Sequence, residues 1–133
     1  MRPLTIFLSR LLGLLMLVVS LAMFLHRQAM AETASLVVHD RPLLFILGLI
    51  TLVAGLAMVL AHNIWSGGAL PIVITLFGWI TLIRGLILLL APPDALISLV
   101  ERIDFEKFFD VPAAITFVLG LYLTYMGFRR SRV

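Results

Sequence analysis

Arg84 is the residue of this chain best placed to do chemistry, because it stands inside an apolar run, 69–91, where a charge is costly. It precedes Ala91 by seven residues, roughly 10 Å of helical rise. Two roles fit a guanidinium at that depth. It can reach along its own stem to an outer acid such as Asp94 or Glu101, or to a lipid phosphate. It can also contact an anionic solute in a central cavity. The three histidines, His26, His39 and His62, are scattered, and none has a carboxylate at ligand spacing on one helix face, so they make no metal set. His62 titrates in the physiological range. His39-Asp40 is a pair in sequence only. There is no Walker loop, nucleophile elbow, HExxH or dinucleotide fingerprint. Cysteine is absent, which removes disulfides, thiolate metal sites and cysteine nucleophiles. The apolar runs hold no acid, which argues against ion-coupled transport through a buried carboxylate. The expectation is a protein without catalytic residues, cofactor or metal.

The elements that would position Arg84 follow from composition. Of 133 residues, 62% are hydrophobic and 13% charged, and the mean hydropathy is +1.17. A soluble domain of this size could not hide that much apolar surface from water, so lipid is the natural solvent. A span needs about 20 apolar residues, and four runs qualify: about 4–26, 42–61, 69–91 and 111–128. The predicted fold is all-α, a single integral-membrane domain over 1–133 built as a polytopic bundle of four transmembrane helices. A Gly-rich turn, 62–68, joins the second and third spans. The connector 94–110 follows a Pro92-Pro93 stop. It places Leu96, Leu99, Val100, Ile103 and Phe108 at helical spacing, with Ser98, Glu101, Arg102 and Glu106 on the other side. It predicts an interfacial amphipathic helix between spans three and four. The stretch 29–39 is a weaker copy.

Each span carries two small residues seven apart: Gly13/Ser20, Gly48/Gly55, Gly78/Gly85 and Gly120/Gly127. Spans two and three match at an offset of 30, with Thr51 and Thr81 in register. Asp40-Arg41-Pro42 corresponds to Asp110-Val111-Pro112, each placing an N-cap acid before a first-turn proline. The simplest repeat is a hairpin of span, connector, Asp-x-Pro and span, present twice. Gly48, Thr51 and Gly55 share one helix face, as do Gly78, Thr81 and Gly85, and such faces let backbones approach while Thr bonds across. Helix packing is their expected use, along with Gly120 and Gly127.

The string from Gly78-Trp79-Ile80-Thr81-Leu82-Ile83-Arg84-Gly85-Leu86 to Pro92 resembles the repeating helices of HdeD-type bacterial membrane proteins. That resemblance covers about a quarter of the chain. It implies glycine-spaced hairpins and an association with acid stress, and it transfers no catalytic residue. The family typically has six spans, against four here.

With four spans both termini face one side. Arg2, Arg10, Arg129, Arg130 and Arg132 lie there, against Arg27, Arg41, Arg102 and Lys107 opposite. Cytoplasmic termini in the inner membrane are expected, with all seven acids on the other face. Arg2, Arg10, the apolar stretch 11–25 and Ala29-Met30-Ala31 also match a cleavable secretory signal. The glycine spacing shared with the other spans favours a retained first helix. His62 and Trp65 are expected at the membrane interface. The net charge of +3 does not indicate nucleic acid, since no basic cluster is interleaved with exposed aromatics. The expected partners are the lipid bilayer, copies of the chain, or other membrane proteins. The leading function is structural, accessory or stress-related. The alternative is a small transporter or channel component with Arg84 contacting an anionic solute.

Overall fold

Prolines mark where the helices begin. In the computed structural model, which describes residues 2–102 and 110–129, a proline falls within the first three positions of α1 (Pro3–Leu25), α3 (Arg41–Ala61), α4 (Ala69–Leu90) and α6 (Asp110–Arg129). A missing N–H loses nothing there. Pro93 opens the shorter α5 (Pro93–Arg102) in the same way, and α2 (Arg27–His39) follows α1 after a break at His26. Asp40 caps α3 as expected, accepting from the Leu43 N–H at 3.1 Å, a bond worth about 1 kcal/mol. Asp110, the first residue of α6, pairs with Arg27 at 3.1 Å. Both side chains are exposed, so the pair adds little to stability. Between α3 and α4 the chain reverses through Gly67 (φ +93°) and Gly68 (φ +118°), a left-handed region where only glycine is unstrained.

The four long helices hold 20 to 23 residues, about 30 Å or more in length, and they match the apolar runs of the sequence within a residue at each end. All four are long and apolar enough to cross a membrane. Their most apolar windows are only 17% to 28% buried, and side chains such as Leu60 and Leu90 are 78% exposed. Water would not tolerate that surface, whereas lipid would. Residues 103–109 of the expected connector, and Arg130 and Arg132 of the C-terminal basic cluster, lie outside the described residues.

Two antiparallel pairs make the bundle. The helix α3 packs along α4, and α1 packs along α6; the pairs meet through α1 and α4. Leu12, Met16, Leu70, Ile74 and Leu123 form the core where they meet. The close pairs are therefore not the two span–connector–span units read from the sequence. Loop length explains this, because seven residues fold α3 straight back onto α4, whereas a whole helix stands between α1 and α3.

Glycine sets the distance within each pair. A Cβ on Gly85 would sit 2.6 Å from the Leu52 backbone, and one on Gly55 would collide with the backbone of Leu82. These two contacts are the same pair of positions exchanged at the offset of 30. In the other pair a Cβ on Gly13 would meet the Thr124 backbone N at 2.6 Å, and one on Gly120 would meet the Leu17 N at 3.0 Å. Gly127 lies against Ser9 and Arg10, at 3.0 Å by the same measure. Gly48 and Gly78 face side-chain atoms instead, at 3.1 Å. Gly55→Ala and Gly85→Ala should therefore cost about 1–3 kcal/mol by overpacking, and Gly48→Ala clearly less, because a leucine tip can yield. Thermal unfolding of the purified variants checks this; equal losses at Gly48 and Gly55 would refute the backbone contact.

Candidate functional site

The two ends of the bundle are filled differently. At the end that carries the 62–68 turn, α3 stops at Ala61 and His62 tucks beneath α1 and α4. Thr5, His62 and Thr75 are each 1% exposed. The Thr5 hydroxyl lies 2.9 Å from His62 Nε2, and the Thr75 hydroxyl 3.3 Å from Nδ1. The Thr75 oxygen also accepts from the Ile64 N–H at 3.1 Å and donates to the Ile64 carbonyl at 2.9 Å. One arrangement satisfies all of these. Thr75 spends its proton on Ile64, Nδ1–H donates to Thr75, and Thr5 donates to Nε2. The ring is then neutral. Burial holds its pKa below the ordinary 6.5, outweighing a bond from its own backbone, and the charge of Arg2 pushes the same way as burial.

A hydroxyl against an imidazole is the geometry of an activated nucleophile. Here the second nitrogen is held by Thr75, not by a carboxylate of the described residues, and all three side chains are 1% exposed. The node is a polar bolt that ties the two helix pairs together. The sequence placed His62 at the interface with Trp65. Trp65 is indeed exposed, its Nε1 donating to Asn63 Oδ1 at 2.7 Å, but the His62 ring turns inward because both nitrogens find partners there. Close by, Ser9 donates to the Leu123 carbonyl. Arg10 donates from Nε to the Gly127 carbonyl at 3.1 Å and stacks 4.8 Å from the Phe128 ring centre, fastening α1 to α6. Sequence reasoning missed Thr5, Ser9 and Thr75. The signal was present in α1, where Thr5, Ser9 and Gly13 recur every fourth residue and all are buried.

At the opposite end the bundle is open. A cavity of about 540 Å³ lies between α2, α3, α4 and α5, with Val38, Leu44, Ile83, Ile87, Leu96 and Val100 in its walls beside Arg84. Leu96 is buried, while Asp94, Ser98, Glu101 and Arg102 on the same short helix are exposed. Arg84 is exposed, and among the described residues it makes no ion pair or hydrogen bond. Neither Asp94 nor Glu101 pairs with it, since both turn to the exposed face of α5. Thr81 lies one turn earlier and donates to the Phe77 carbonyl at 2.7 Å, within its own helix. No described hydrogen bond crosses from Thr51 either. In apolar surroundings the carbonyl four residues back is the nearest acceptor, so the Thr81 hydroxyl turns to its own helix. Among the described residues no three of His, Asp and Glu gather as metal ligands. Comparison of the chain with protein-family models, with curated proteins and with solved structures finds no match.

The node makes stability pH-dependent. Because His62 binds its proton less readily folded than unfolded, its contribution is complete above pH 6.5 and is lost as the pH falls from there towards the lowered folded value. Melting at pH 7.5 and pH 5 should show acid destabilisation that shrinks in His62→Gln. Thr5→Val should cost about 1–3 kcal/mol at pH 7.5, by leaving Nε2 unpaired in a buried site. Identical acid sensitivity in wild type and His62→Gln would place the titrating group elsewhere.

Proposed function

We propose that this chain is a multi-pass protein of the inner membrane, structural, accessory or stress-related in role, that associates with copies of itself or with other membrane proteins. The observation that carries the reading is the filling of the bundle. Where the helix pairs meet, the core is aliphatic and closed by the Thr5–His62–Thr75 node, while most of the apolar surface faces outward. Such a body suits lipid and helix–helix contact. The resemblance of the third span to HdeD-type helices supplies the stress-related part of the proposal. The reciprocal contacts of Gly55 with Leu82 and Gly85 with Leu52 support descent of α3 and α4 from one ancestral helix. The split of α5 into buried Leu96 and exposed polar residues supports an interfacial position, and α2 shares it, with Met30, Ala34, Val37 and Val38 on its less exposed side. The first span is retained in this proposal, because α1 supplies part of the core and the main partner face of α6.

The reading as a transporter or channel component is weaker. The walls around Arg84 are hydrocarbon, whereas a solute path needs polar groups along its length. Arg84→Leu would abolish flux in a transporter and leave an accessory protein inserted.

Topology is directly testable because the chain has no cysteine to remove. Ser66→Cys and Ser98→Cys place a thiol at an exposed position in the turn and on α5 respectively. Membrane-impermeant maleimide should label Ser98→Cys from the periplasm, and Ser66→Cys only after the membrane is opened. The protein should resist alkaline extraction, and crosslinking in native membranes should recover itself or a membrane partner. Labelling of both sites from one side would refute the four-span topology.

A further inference from the structure

We propose that the cavity beside Arg84 holds one anionic phospholipid, an acyl chain lying against the aliphatic walls and the phosphate on the guanidinium. The inference rests on the membrane-spanning reading above and gives the open end of the bundle a ligand.

Three observations converge on it. The walls contributed by Leu44, Ile83, Ile87, Leu96 and Val100 are hydrocarbon, and the cavity is about 540 Å³, within the roughly 300–1,000 Å³ of small-molecule sites. Arg84, in the same wall, has no ion-pair or hydrogen-bond partner among the described residues, although a cation in apolar surroundings needs an opposite charge or acceptors to offset its lost hydration. Arg84 also lies six residues before Leu90 at the end of α4, about 9 Å by helical rise. Its stem can carry the guanidinium most of that way to the level of lipid headgroups.

These features reject other occupants on chemical grounds. A free inorganic anion would satisfy Arg84 and leave the aliphatic walls empty. An apolar helix from a partner would cover the walls and leave the charge unpaired. A membrane amphiphile with a phosphate satisfies both, and the bilayer supplies it beside the site. Guanidinium forms two parallel hydrogen bonds with phosphate oxygens. A headgroup with net negative charge is favoured over a zwitterion, whose own cation competes for that phosphate. Arg41 and Arg102 begin α3 and end α5 at the same end of the bundle, so the phosphate is not met only by the acids Asp40, Asp94 and Glu101.

The test uses the full chain in detergent, scored by native mass spectrometry with phosphatidylglycerol and phosphatidylcholine of identical acyl chains. Wild type should retain one phosphatidylglycerol in preference to phosphatidylcholine by about tenfold, the difference made by the choline cation that competes for the same phosphate. Arg84→Gln should bring the two lipids to parity, and Arg84→Lys should keep part of the preference. Val100→Trp, which fills the cavity, should lower retention of both. Equal retention by wild type, or a preference that survives Arg84→Gln, overturns the proposal. So does displacement of the lipid by millimolar inorganic phosphate, which would mark a soluble-anion site. Helical circular dichroism of each variant confirms that it is folded. Maleimide labelling at Ser66→Cys and Ser98→Cys judges the membrane topology separately, so parity between the lipids alongside normal labelling rejects the lipid site alone.

Discussion

Two helices in lipid gain nothing by hiding their leucines from one another, because the surrounding acyl chains are as apolar as the side chains they replace. Association must then come from contact itself, and dispersion falls away within an ångström of gap. In this protein the approach is set by glycine. Gly55 and Gly85 bring α3 against the backbone of α4, and Gly13 and Gly120 do the same between α1 and α6. Larger residues at these points would hold the axes apart. The five buried residues of the core would then face a gap instead of one another. The bundle is thus two rigid pairs, each closed by backbone proximity, with a smaller shared surface between them.

Polar chemistry acts at that smaller surface. Hydrogen bonds are few in the described bundle, and those that join different elements cluster at the turn end: Thr5 and Thr75 with His62, Ser9 with Leu123, Arg10 with Gly127. The connector end has an exposed ion pair between Arg27 and Asp110 and the aliphatic cavity around Arg84. One end is specified by directional bonds, which fix a single arrangement. The other is held by contacts that many arrangements satisfy. The asymmetry leaves room beside Arg84, while the His62 ring is packed tightly between Thr5 and Thr75.

The helices were legible in the sequence because hydropathy, proline and the Asp40 cap all act locally. The small-residue faces were legible for the same reason, since a glycine every seventh residue marks one side of a helix whatever lies opposite. What lies opposite was not. The repeat suggested pairs within each span–connector–span unit, and the close pairs instead join the second span to the third and the first to the last. Pairing depends on loop length and on which faces match across the bundle, and a single helix's spacing carries neither. His62 shows the same limit. Its position just past a span suggested an interfacial ring, and its burial depends on Thr5, 57 residues away. Arg84 was identified as an isolated charge, but its freedom from Asp94 and Glu101 follows from the direction α5 takes after Pro92-Pro93.

The pairing of first with last helix bears on how the chain is made. The α3–α4 pair consists of neighbours joined by a seven-residue turn, and it can close as soon as both have left the ribosome and entered the bilayer. The first helix has no such recourse. It is synthesised before all the others and its main neighbour is α6, so although Thr5 can meet His62 once the α3–α4 pair is in place, Ser9 and Gly13 must wait in lipid until Leu123 and Thr124 have emerged. The nascent protein therefore passes through a stage in which one finished hairpin coexists with a first helix that lacks its main partner. Its small, polar stripe is then open to any other membrane segment, including that of a second nascent chain.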